Sequence, residues 1–382
     1  MKKIYYWGPF IDNKIATAKA IYNSVEGINR YSKNYKATII NSLGEWNFKI
    51  DDNNKEFFIN TNLNLIKKLP KLSFIKSRIS YVIICLLSFF SLRNLLKKHQ
   101  PDYFIAHLIL PLPLILFKFF NFDTKLIIRI SGKPKLNFFR KFLWKNTSEK
   151  VYKIFCPTEE TLNNLIDLKI FNREKIFLLH DPIFSTNELI KSKKDSELDS
   201  RFEKNNIILV GRLTRQKNFN LIIEAYKKNE TLLDKYKVFI FGEGELEKTL
   251  KKKVKDYKLD NKIIFLGYKK NVYKYMINSK LFILTSLWED PGFVLIEAAI
   301  NDLSILSSNC PSGPEEIINK NELGGYLYKN NDLDSLSNKL DFFIKDSEKN
   351  IYKKKIYIKK QIKKFSIFSH SLTLQTYLDN KN

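Results

Sequence analysis

Short apolar runs alternate with longer amphipathic stretches along most of the chain, which predicts strands and helices in turn. The first run, Lys3 to Trp7, predicts a strand, and the stretch from about Lys14 to Tyr31 predicts the helix that follows it. Further strands are predicted at Pro101 to Ala106 and at Lys125 to Ile130. This order is typical of an α/β fold, in which helices cover both faces of a parallel sheet.

The alternation breaks over residues 185–204, where Lys, Ser, Asp and Glu predominate and little can be buried. That composition predicts a linker. A polar and basic stretch at 51–78 predicts no defined element. We therefore predict two α/β domains, over 1–184 and 205–350, and a basic helical segment over 351–382 that packs back on the first domain.

The composition suits a packed protein, since 382 residues with 44% hydrophobic side chains are enough for two cores. Three widely spaced cysteines give neither a disulfide framework nor a metal-ligand spacing, which favours a reducing cytosol and no bound metal. The start of the chain predicts a strand rather than a secretory signal. The longest apolar runs, Ile79 to Leu92 and Tyr103 to Phe120, predict core elements, with a helix dipping into a membrane surface as the alternative.

The net charge of +26 attracts polyanions, and no nucleic-acid-binding signature accompanies it. Two explanations stay open: a compositional bias toward Lys and Asn, or binding to an anionic membrane face. The best candidate surface combines basic and aromatic residues, namely Lys133, Lys135, Arg140, Lys141, Lys145, Phe138, Phe139, Phe142 and Trp144. A buried amphipathic helix is the alternative for this stretch.

The first candidate for chemistry is the basic turn Gly211 to Asn218, directly after a predicted strand. Open α/β sheets bind ligands at the carboxyl ends of their strands, and glycine permits a tight turn there. Arg212 and Lys217 supply two cations that suit a diphosphate. Taken alone, the pattern is better explained by an exposed basic turn in a basic protein.

The second candidate runs from Glu289 to Glu297, again after a predicted strand. The helix predicted to start near Gly292 and Phe293 offers unpaired backbone N–H groups to a phosphate. The two carboxylates are suited to sugar hydroxyls. A solvated loop acid is the alternative for Glu289, and a helix-surface acid for Glu297. In the first half, His107 follows a predicted strand at its carboxyl end, and a lone histidine in such a position more often has a structural role than a functional one.

These residues together resemble the retaining group 1 (family-4) glycosyltransferases of the GT-B fold. The resemblance covers most of residues 205–330, including the Gly-Arg-Leu…Lys turn, the Gly242-Glu243-Gly244 turn and the Glu-x7-Glu element. The turn Cys310 to Ile317 is similar to one in bacterial polysaccharide members. The first half matches more loosely. The resemblance implies two Rossmann-like domains whose parallel sheets face each other across an interdomain cleft.

The family implies a role for each matching residue. Glu289, Arg212, Lys217 and His107 would be the catalytic set, with Glu289 on the donor sugar and His107 reaching that sugar from the opposite domain. The residues implied in donor binding are Arg212 and Lys217 at the diphosphate, Glu297 at the ribose, Gly292 and Phe293 through backbone N–H groups, Leu266 and Gly267 near the base, and Gly8. The loop from Gly8 to Lys14 lacks the paired glycines of many members, and Lys14 could supply a cation instead.

The resemblance further implies transfer of a sugar from a nucleotide-sugar, of the UDP type, to a lipid-linked or polysaccharide acceptor in bacterial surface-glycan synthesis. Retention of configuration, no cofactor or metal, and a cytoplasmic location that includes the inner face of the plasma membrane follow from the same comparison. Two alternatives stay open: a sugar-nucleotide epimerase of similar architecture, and a non-catalytic nucleotide- or polyanion-binding protein. We also expect Glu289→Ala or Lys217→Ala to abolish turnover with an almost unchanged unfolding midpoint.

Overall fold

The computed structural model describes residues 1–10, 16–47, 57–59, 65, 69, 74–130, 132, 134, 136–194, 197–229 and 236–380. The chain forms two compact units. The N-terminal unit comprises Met1–Ile183 and Ile367–Asn382, and the C-terminal unit comprises Phe184–Ser366.

The N-terminal unit is built on a seven-stranded parallel sheet, in the order β3-β2-β1-β4-β5-β6-β7. Each strand of the middle of the sheet is an apolar run buried on both faces, as expected where helices cover a parallel sheet. The strands are β1 (Lys2–Trp7), β2 (Tyr35–Asn41), β3 (Phe57–Ile59), β4 (Tyr103–Ala106), β5 (Lys125–Arg129), β6 (Val151–Cys156) and β7 (Ile176–Leu178).

Five α-helices lie among the described residues of 1–183. Side chains cap two of them: Asn137 accepts a hydrogen bond from the backbone N–H of Arg140, and Thr158 accepts one from Thr161. The helices are α1 (Ala16–Tyr31), α2 (Phe74–His99), α3 (Pro111–Phe119), α4 (Phe138–Thr147) and α5 (Glu159–Asp167).

The C-terminal unit repeats the plan with a six-stranded parallel sheet, in the order β10-β9-β8-β11-β12-β13. Its strands are β8 (Ile207–Val210), β9 (Val238–Phe241), β10 (Ile263–Gly267), β11 (Leu281–Leu284), β12 (Ser304–Ser308) and β13 (Tyr326–Tyr328). Its helices are α6 (Thr186–Lys194), α7 (Asn220–Lys228), α8 (Glu247–Asp256), α9 (Tyr273–Met276), α10 (Phe293–Ile300), α11 (Pro314–Ile318), α12 (Leu333–Lys345) and α13 (Glu348–Gln361).

Residues 185–204, predicted as a linker, instead belong to the C-terminal unit and begin with α6. Phe202 is buried among aromatic rings, with centroid distances of 4.8 Å to Phe239 and 5.1 Å to Tyr275. Asp199 forms ion pairs with Arg201 and Lys269, both with N···O distances of 2.9 Å or less. The segment has the average composition of a linker, but the buried ring of Phe202 and the ion pairs of Asp199 hold it on the C-terminal unit.

The basic segment predicted over 351–382 is divided between the units. Its first part is in α13, where Lys354 donates to the carbonyl oxygens of Glu322 and Gly325. The last helix, α14 (Ile367–Asp379), belongs to the N-terminal unit and packs on α1. This contact needs Gly27, because a Cβ there would lie 2.3 Å from Oγ of Ser371.

Both sheets have the strand order at which doubly wound folds form a crevice. In the N-terminal unit the order reverses between β1 and β4, and in the C-terminal unit it reverses between β8 and β11. Loops leave these neighbouring strands in opposite directions across the sheet, so ligands bind outside their carboxyl ends. Residues 8 and 107 follow β1 and β4, while residues 211 and 285 follow β8 and β11.

Candidate active site

The loop after β8 passes close to the turn after β9, and glycines make that approach feasible. A Cβ at Gly242 would lie 1.9 Å from the carbonyl oxygen of Gly211, and one at Gly244 would lie 2.4 Å from that of Leu213. Backbone hydrogen bonds join the same segments, from Gly211 N–H to Phe241 and from Leu213 N–H to Glu243. The Gly-Glu-Gly turn therefore supports the basic loop.

Lys217 and Glu289 meet in an ion pair at the switch point of the C-terminal sheet. The Nζ of Lys217 lies 2.5 Å from Oε1 of Glu289. Its aliphatic stem runs over Gly211, where an added Cβ would lie 3.3 Å from three of the stem carbons. Glu289 is only 7% exposed, and Ser286 donates its hydroxyl to the same Oε1 at 2.5 Å. A carboxylate that accepts from both an ammonium and a hydroxyl is fixed in direction.

Further hydrogen bonds fasten the two loops to each other. The hydroxyl of Thr285 donates to the carbonyl oxygen of Lys217 at 2.7 Å. The side-chain amide of Gln216 donates to the carbonyl of Trp288 at 2.9 Å, and Leu287 N–H donates to the carbonyl of Gln216 at 2.8 Å. The basic turn and the acidic loop, 72 residues apart in sequence, therefore form one constellation.

A third loop, after β12, holds the acidic loop from the other side. The N–H of Glu289 donates to the carbonyl of Pro311 at 3.0 Å. Gly313, with a φ of 123°, packs so tightly that a Cβ would lie 2.0 Å from the carbonyl oxygen of Pro291. Burial raises the pKa of the neighbouring Cys310 to about 12, and the Glu289 carboxylate acts in the same direction. That thiol is therefore protonated and is no nucleophile.

Arg212, in the same loop as Lys217, and the start of α10, after the acidic loop, add further positive charge to these two loops. Arg212 is exposed, and its guanidinium makes no hydrogen bond or ion pair with the part of the chain that the structure describes. Gly292 has a φ of 95° and directs the chain into α10, whose first N–H groups begin at Phe293. A helix start carries partial positive charge, so it and Arg212 both favour an anion.

Glu297 lies one turn into α10, and its carboxylate is held from a neighbouring helix. The phenol of Tyr273, in α9, donates to Oε1 of Glu297 at 3.0 Å. Sequence reasoning identified Glu297 but missed Tyr273 and Ser286, because a tyrosine within a short helix and a serine after a strand carry no distinguishing pattern.

Leu266 and Gly267 end β10, the edge strand of the C-terminal sheet. The carbonyl of Gly267 accepts from Gly242 N–H at 2.9 Å, which places it beside the Gly-Glu-Gly turn. Leu266 is buried, whereas the space around Gly267 is open, with no atom within 4 Å of an added Cβ. Any contact of Leu266 with a ligand would thus go through its backbone.

Gly8 and His107 meet at the switch point of the N-terminal sheet. The N–H of His107 donates to the carbonyl of Trp7 at 2.8 Å, and a Cβ on Gly8 would lie 3.6 Å from that of His107. A Cβ on Gly8 would also lie 2.2 Å from Cδ1 of Ile21, so glycine is required. Nδ1 of His107 is buried without a hydrogen-bond partner among the described residues. Lys14, proposed as a substitute cation, lies outside those residues.

Burial lowers the pKa of His107 well below its ordinary value, and the positive charge of Arg129 adds to the effect. The imidazole is therefore neutral. Arg129 itself forms a buried, bidentate pair with Asp181. His370 of α14 is buried nearby, where burial lowers its pKa to about 4. Its Nδ1 lies 2.7 Å from the carbonyl oxygen of His180, so that nitrogen carries the proton and Nε2 accepts from Ser24.

The described residues contain no group of three or more His, Cys, Asp or Glu side chains placed to hold a metal ion. The candidate site of the C-terminal unit instead consists of two cations, Arg212 and Lys217, the start of α10, and the carboxylates of Glu289 and Glu297. Such a set can hold a diphosphate and polyhydroxylated groups.

Comparison with known proteins supports this interpretation. The family described as "Glycosyl transferases group 1" matches residues 191–364. The N-acetylgalactosamine-N,N'-diacetylbacillosaminyl-diphospho-undecaprenol 4-alpha-N-acetylgalactosaminyltransferase of Campylobacter jejuni is 28% identical over 218 residues, 55% of this chain and 58% of that protein. A UDP-Gal:alpha-D-GlcNAc-diphosphoundecaprenol alpha-1,3-galactosyltransferase of Escherichia coli is 34% identical over 150 residues, 38% of each chain. The chain thus spans well under two thirds of these relatives.

Solved structures of glycosyltransferases resemble this protein in fold over the whole chain. The Staphylococcus aureus protein TarM, crystallised with UDP, superposes with a TM-score of 0.73 at 14% identity, covering 100% of both chains. At that identity the likeness shows the fold alone. It confirms the predicted GT-B fold. Residues 191–364 match the group 1 glycosyl transferase family, which is the family that the sequence resemblance predicted.

Proposed function

We propose that the protein transfers a sugar from a nucleotide-sugar of the UDP type to a lipid-linked or polysaccharide acceptor, with retention of the anomeric configuration. The observation that carries the proposal is the Lys217–Glu289 pair, fixed at the switch point of a group 1 domain. The names of the C. jejuni and E. coli relatives specify diphospho-undecaprenol acceptors, and the E. coli name specifies UDP-Gal.

In the proposed mechanism the bond between the anomeric carbon and the donor diphosphate breaks, and an acceptor hydroxyl oxygen bonds to that carbon. The nucleoside diphosphate departs with the bonding electrons, and one of its phosphate oxygens takes the proton of the acceptor hydroxyl. Negative charge therefore grows on the diphosphate. Arg212, Lys217 and the start of α10 are placed to stabilise it. An ammonium has three N–H donors, so Lys217 can bind phosphate while keeping Glu289.

The carboxylates have separate roles in this proposal. Glu289 accepts hydrogen bonds from donor-sugar hydroxyls, and Glu297, held by Tyr273, accepts from the ribose. In the N-terminal unit, neutral His107 supplies a hydrogen-bonding ring nitrogen to the reaction. Because fixed cations neutralise the leaving group, we propose that turnover needs no divalent metal and no cofactor. Three free cysteines favour a cytoplasmic location.

The test is to incubate the protein with a panel of UDP-sugars, with and without bacterial membrane lipid extract, and to measure UDP and sugar products. UDP release that depends on the extract, together with a glycosylated lipid, supports transfer. Isomerised donor in the absence of an acceptor would instead show an epimerase, and binding without turnover would show a non-catalytic protein. Activity that persists with EDTA supports the metal-free mechanism.

A matched control separates the site from the rest of the surface. Lys217→Ala removes the paired cation, whereas Lys228→Ala removes a cation from the exposed pair with Asp334. Only the first variant is expected to lose turnover. The anomeric configuration of the product, read by proton NMR, tests retention directly.

A further inference from the structure

Between residues 79 and 90, α2 exposes several large apolar side chains and buries its two serines, although Ile84 is buried as well. Ser80 and Ser88 are buried, whereas Leu86 and Phe90 are 70% and 71% exposed. Val82, on the same face as both, is also exposed. A helix on a water-exposed surface normally turns polar side chains outward and apolar ones inward. The exposed apolar side of α2 therefore suits an apolar environment.

Exposed aromatic side chains continue this face across α3 and α4. Phe138 and Phe139, at the start of α4, are both 78% exposed, and Phe119 and Phe142 are exposed as well. Ring contacts connect α2 to the end of α3, with Phe89 lying 5.2 Å from Phe90 and 6.3 Å from Phe120 between ring centroids. We call these residues the apolar face: Val82, Leu86, Phe90, Phe119, Phe138, Phe139 and Phe142.

Basic residues border the apolar face, and acidic ones are missing from its helices. The sequences of α2, α3 and α4 contain no Asp and no Glu. The ammonium of Lys118 lies 5.8 Å from the ring centroid of Phe142, and the guanidinium of Arg93 lies 4.4 Å from that of Phe120. Arg140, Lys141 and Lys145 are exposed on α4. Exposed apolar side chains on helices that contain basic but no acidic residues are complementary to an anionic lipid surface.

We propose that the apolar face docks the N-terminal unit on an anionic lipid bilayer, with α2 lying in the plane of the interface. This inference rests on the proposed function, since it names how the chain would reach a lipid-linked acceptor. It also differs from the surface expected from sequence. Trp144 is buried against Phe171, with a centroid distance of 5.4 Å, while α2 adds Val82, Leu86 and Phe90 to the face. Lys133 and Lys135 lie outside the described residues.

Docking in the plane fits the packing of α2 better than crossing the bilayer does. Residues Ile79–His99 are long and apolar enough to cross a membrane by length and composition, with 33% of the most apolar window buried. However, Leu92, Leu95 and Leu96 in the second half belong to the core of the N-terminal unit. A spanning helix would have to remove them from that core.

The experiment is co-sedimentation of the full chain, without nucleotide, with vesicles of phosphatidylcholine plus phosphatidylglycerol and with vesicles of phosphatidylcholine alone. Binding is expected to the anionic vesicles only, and to fall at about 0.5 M salt. Leu86→Gln with Phe90→Ser, or Phe138→Ser with Phe139→Ser, should weaken binding at least about tenfold because fewer side chains enter the interface. Phe368→Ser with Leu372→Gln, two exposed positions of α14, is the matched control and should bind normally.

A charge series tests the border of the face. Arg140→Gln, Lys141→Gln and Lys145→Gln together should weaken binding at least about tenfold, since each cation near an anionic surface strengthens binding severalfold. Lys353→Gln, Lys360→Gln and Lys363→Gln, exposed positions of the C-terminal unit with the same loss of charge, should have little effect. All the substituted side chains are exposed, so unfolding midpoints should stay constant and confirm that each variant is folded.

Several results would overturn the proposal. These are equal binding to neutral vesicles, equal binding by all variants, resistance to carbonate extraction, and a dimer that the Phe138 and Phe139 changes dissociate, which would show that a second copy covers the face. Failure here is distinguishable from failure of the proposed function. Lys217→Ala should bind vesicles normally, and the face variants should still transfer sugar to a detergent-solubilised acceptor.

Discussion

The two switch points of this chain share a strand order but differ in chemistry. In the C-terminal unit, β8 and β11 lead into loops joined by the ion pair of Lys217 and Glu289, with Arg212 exposed beside them. In the N-terminal unit, the equivalent strands lead to Gly8 and to a buried, neutral His107. One backbone plan therefore yields a charged cradle suited to a diphosphate and a neutral position suited to hydrogen bonding.

The charged cradle gives the largest predicted effect. Lys217→Ala should lower kcat/KM for the donor about 10³-fold, or about 4 kcal/mol, because the leaving diphosphate loses a fixed cation. The structure changes our expectation for stability. Glu289 is buried, so removing its partner should also cost about 1–3 kcal/mol of unfolding free energy, less than for a fully buried pair because Lys217 is partly exposed.

A double variant separates the two effects. Lys217→Met combined with Glu289→Gln removes both charges, so it should recover stability in urea unfolding without recovering turnover. If instead the double variant regained activity, the pair would be structural and the comparison between the switch points would fail.

The two neutral histidines of the N-terminal unit, His107 and His370, predict that the free energy of unfolding depends on pH. His370 titrates near 6.5 when unfolded and near 4 when folded, because burial disfavours its charged form. The unfolded chain therefore binds the proton first, and stability present above pH 6.5 is lost as pH falls toward 4. The loss for His370 is on the order of 3 kcal/mol, and buried His107 acts in the same direction.

Urea unfolding at several pH values, followed by fluorescence of the buried Trp7 and Trp46, measures this loss. His370→Gln should be less stable at pH 7.5, since its hydrogen bonds change, yet its stability should fall less steeply below pH 6.5 than that of the wild type. Parallel curves for the two proteins would show that His370 is not the titrating group.

The smallest predicted effect concerns Tyr273, which holds the carboxylate of Glu297. Tyr273→Phe removes the phenol that donates to Glu297, which should raise KM for the donor about three- to sixfold, or about 1 kcal/mol, with kcat nearly constant. Tyr257→Phe, which removes a phenol bonded to Glu224 on the same unit, is the control and should leave KM unchanged. A fall in kcat alone would assign Tyr273 to another role.

Much of the C-terminal unit could be predicted because its chemistry lies in local sequence. Strands β8 and β11 are short apolar runs, and the loops after them contain the cations and acids in contiguous stretches. The parallel order of such strands places these loops at one edge, which makes the meeting of Lys217 and Glu289 a consequence of topology. The family resemblance depends on the same local stretches.

Three features depended on contacts between distant residues and could not be predicted. The segment 185–204 is polar on average, yet Phe202 and Asp199 dock it on the C-terminal unit. The segment 351–382 was expected to pack as a whole on the first domain, yet only its last helix does, with Gly27 fitting against Ser371, while the part before Ile367 belongs to the C-terminal unit. Serine and tyrosine at 286 and 273 became functional candidates only through their distances to carboxylates.

The amino-acid sequence by itself determined the two α/β layers and the residue types at each strand end, because periodicity and turn chemistry are local properties. Only the tertiary structure decided which side chains meet, and which faces stay uncovered. Val82, Leu86 and Phe90 read as core in the sequence, since an apolar run has the same pattern whether protein or lipid covers it. Which side chains are buried depends on how the whole chain packs. In the folded protein these apolar side chains are exposed, although the sequence predicted them to lie in the core.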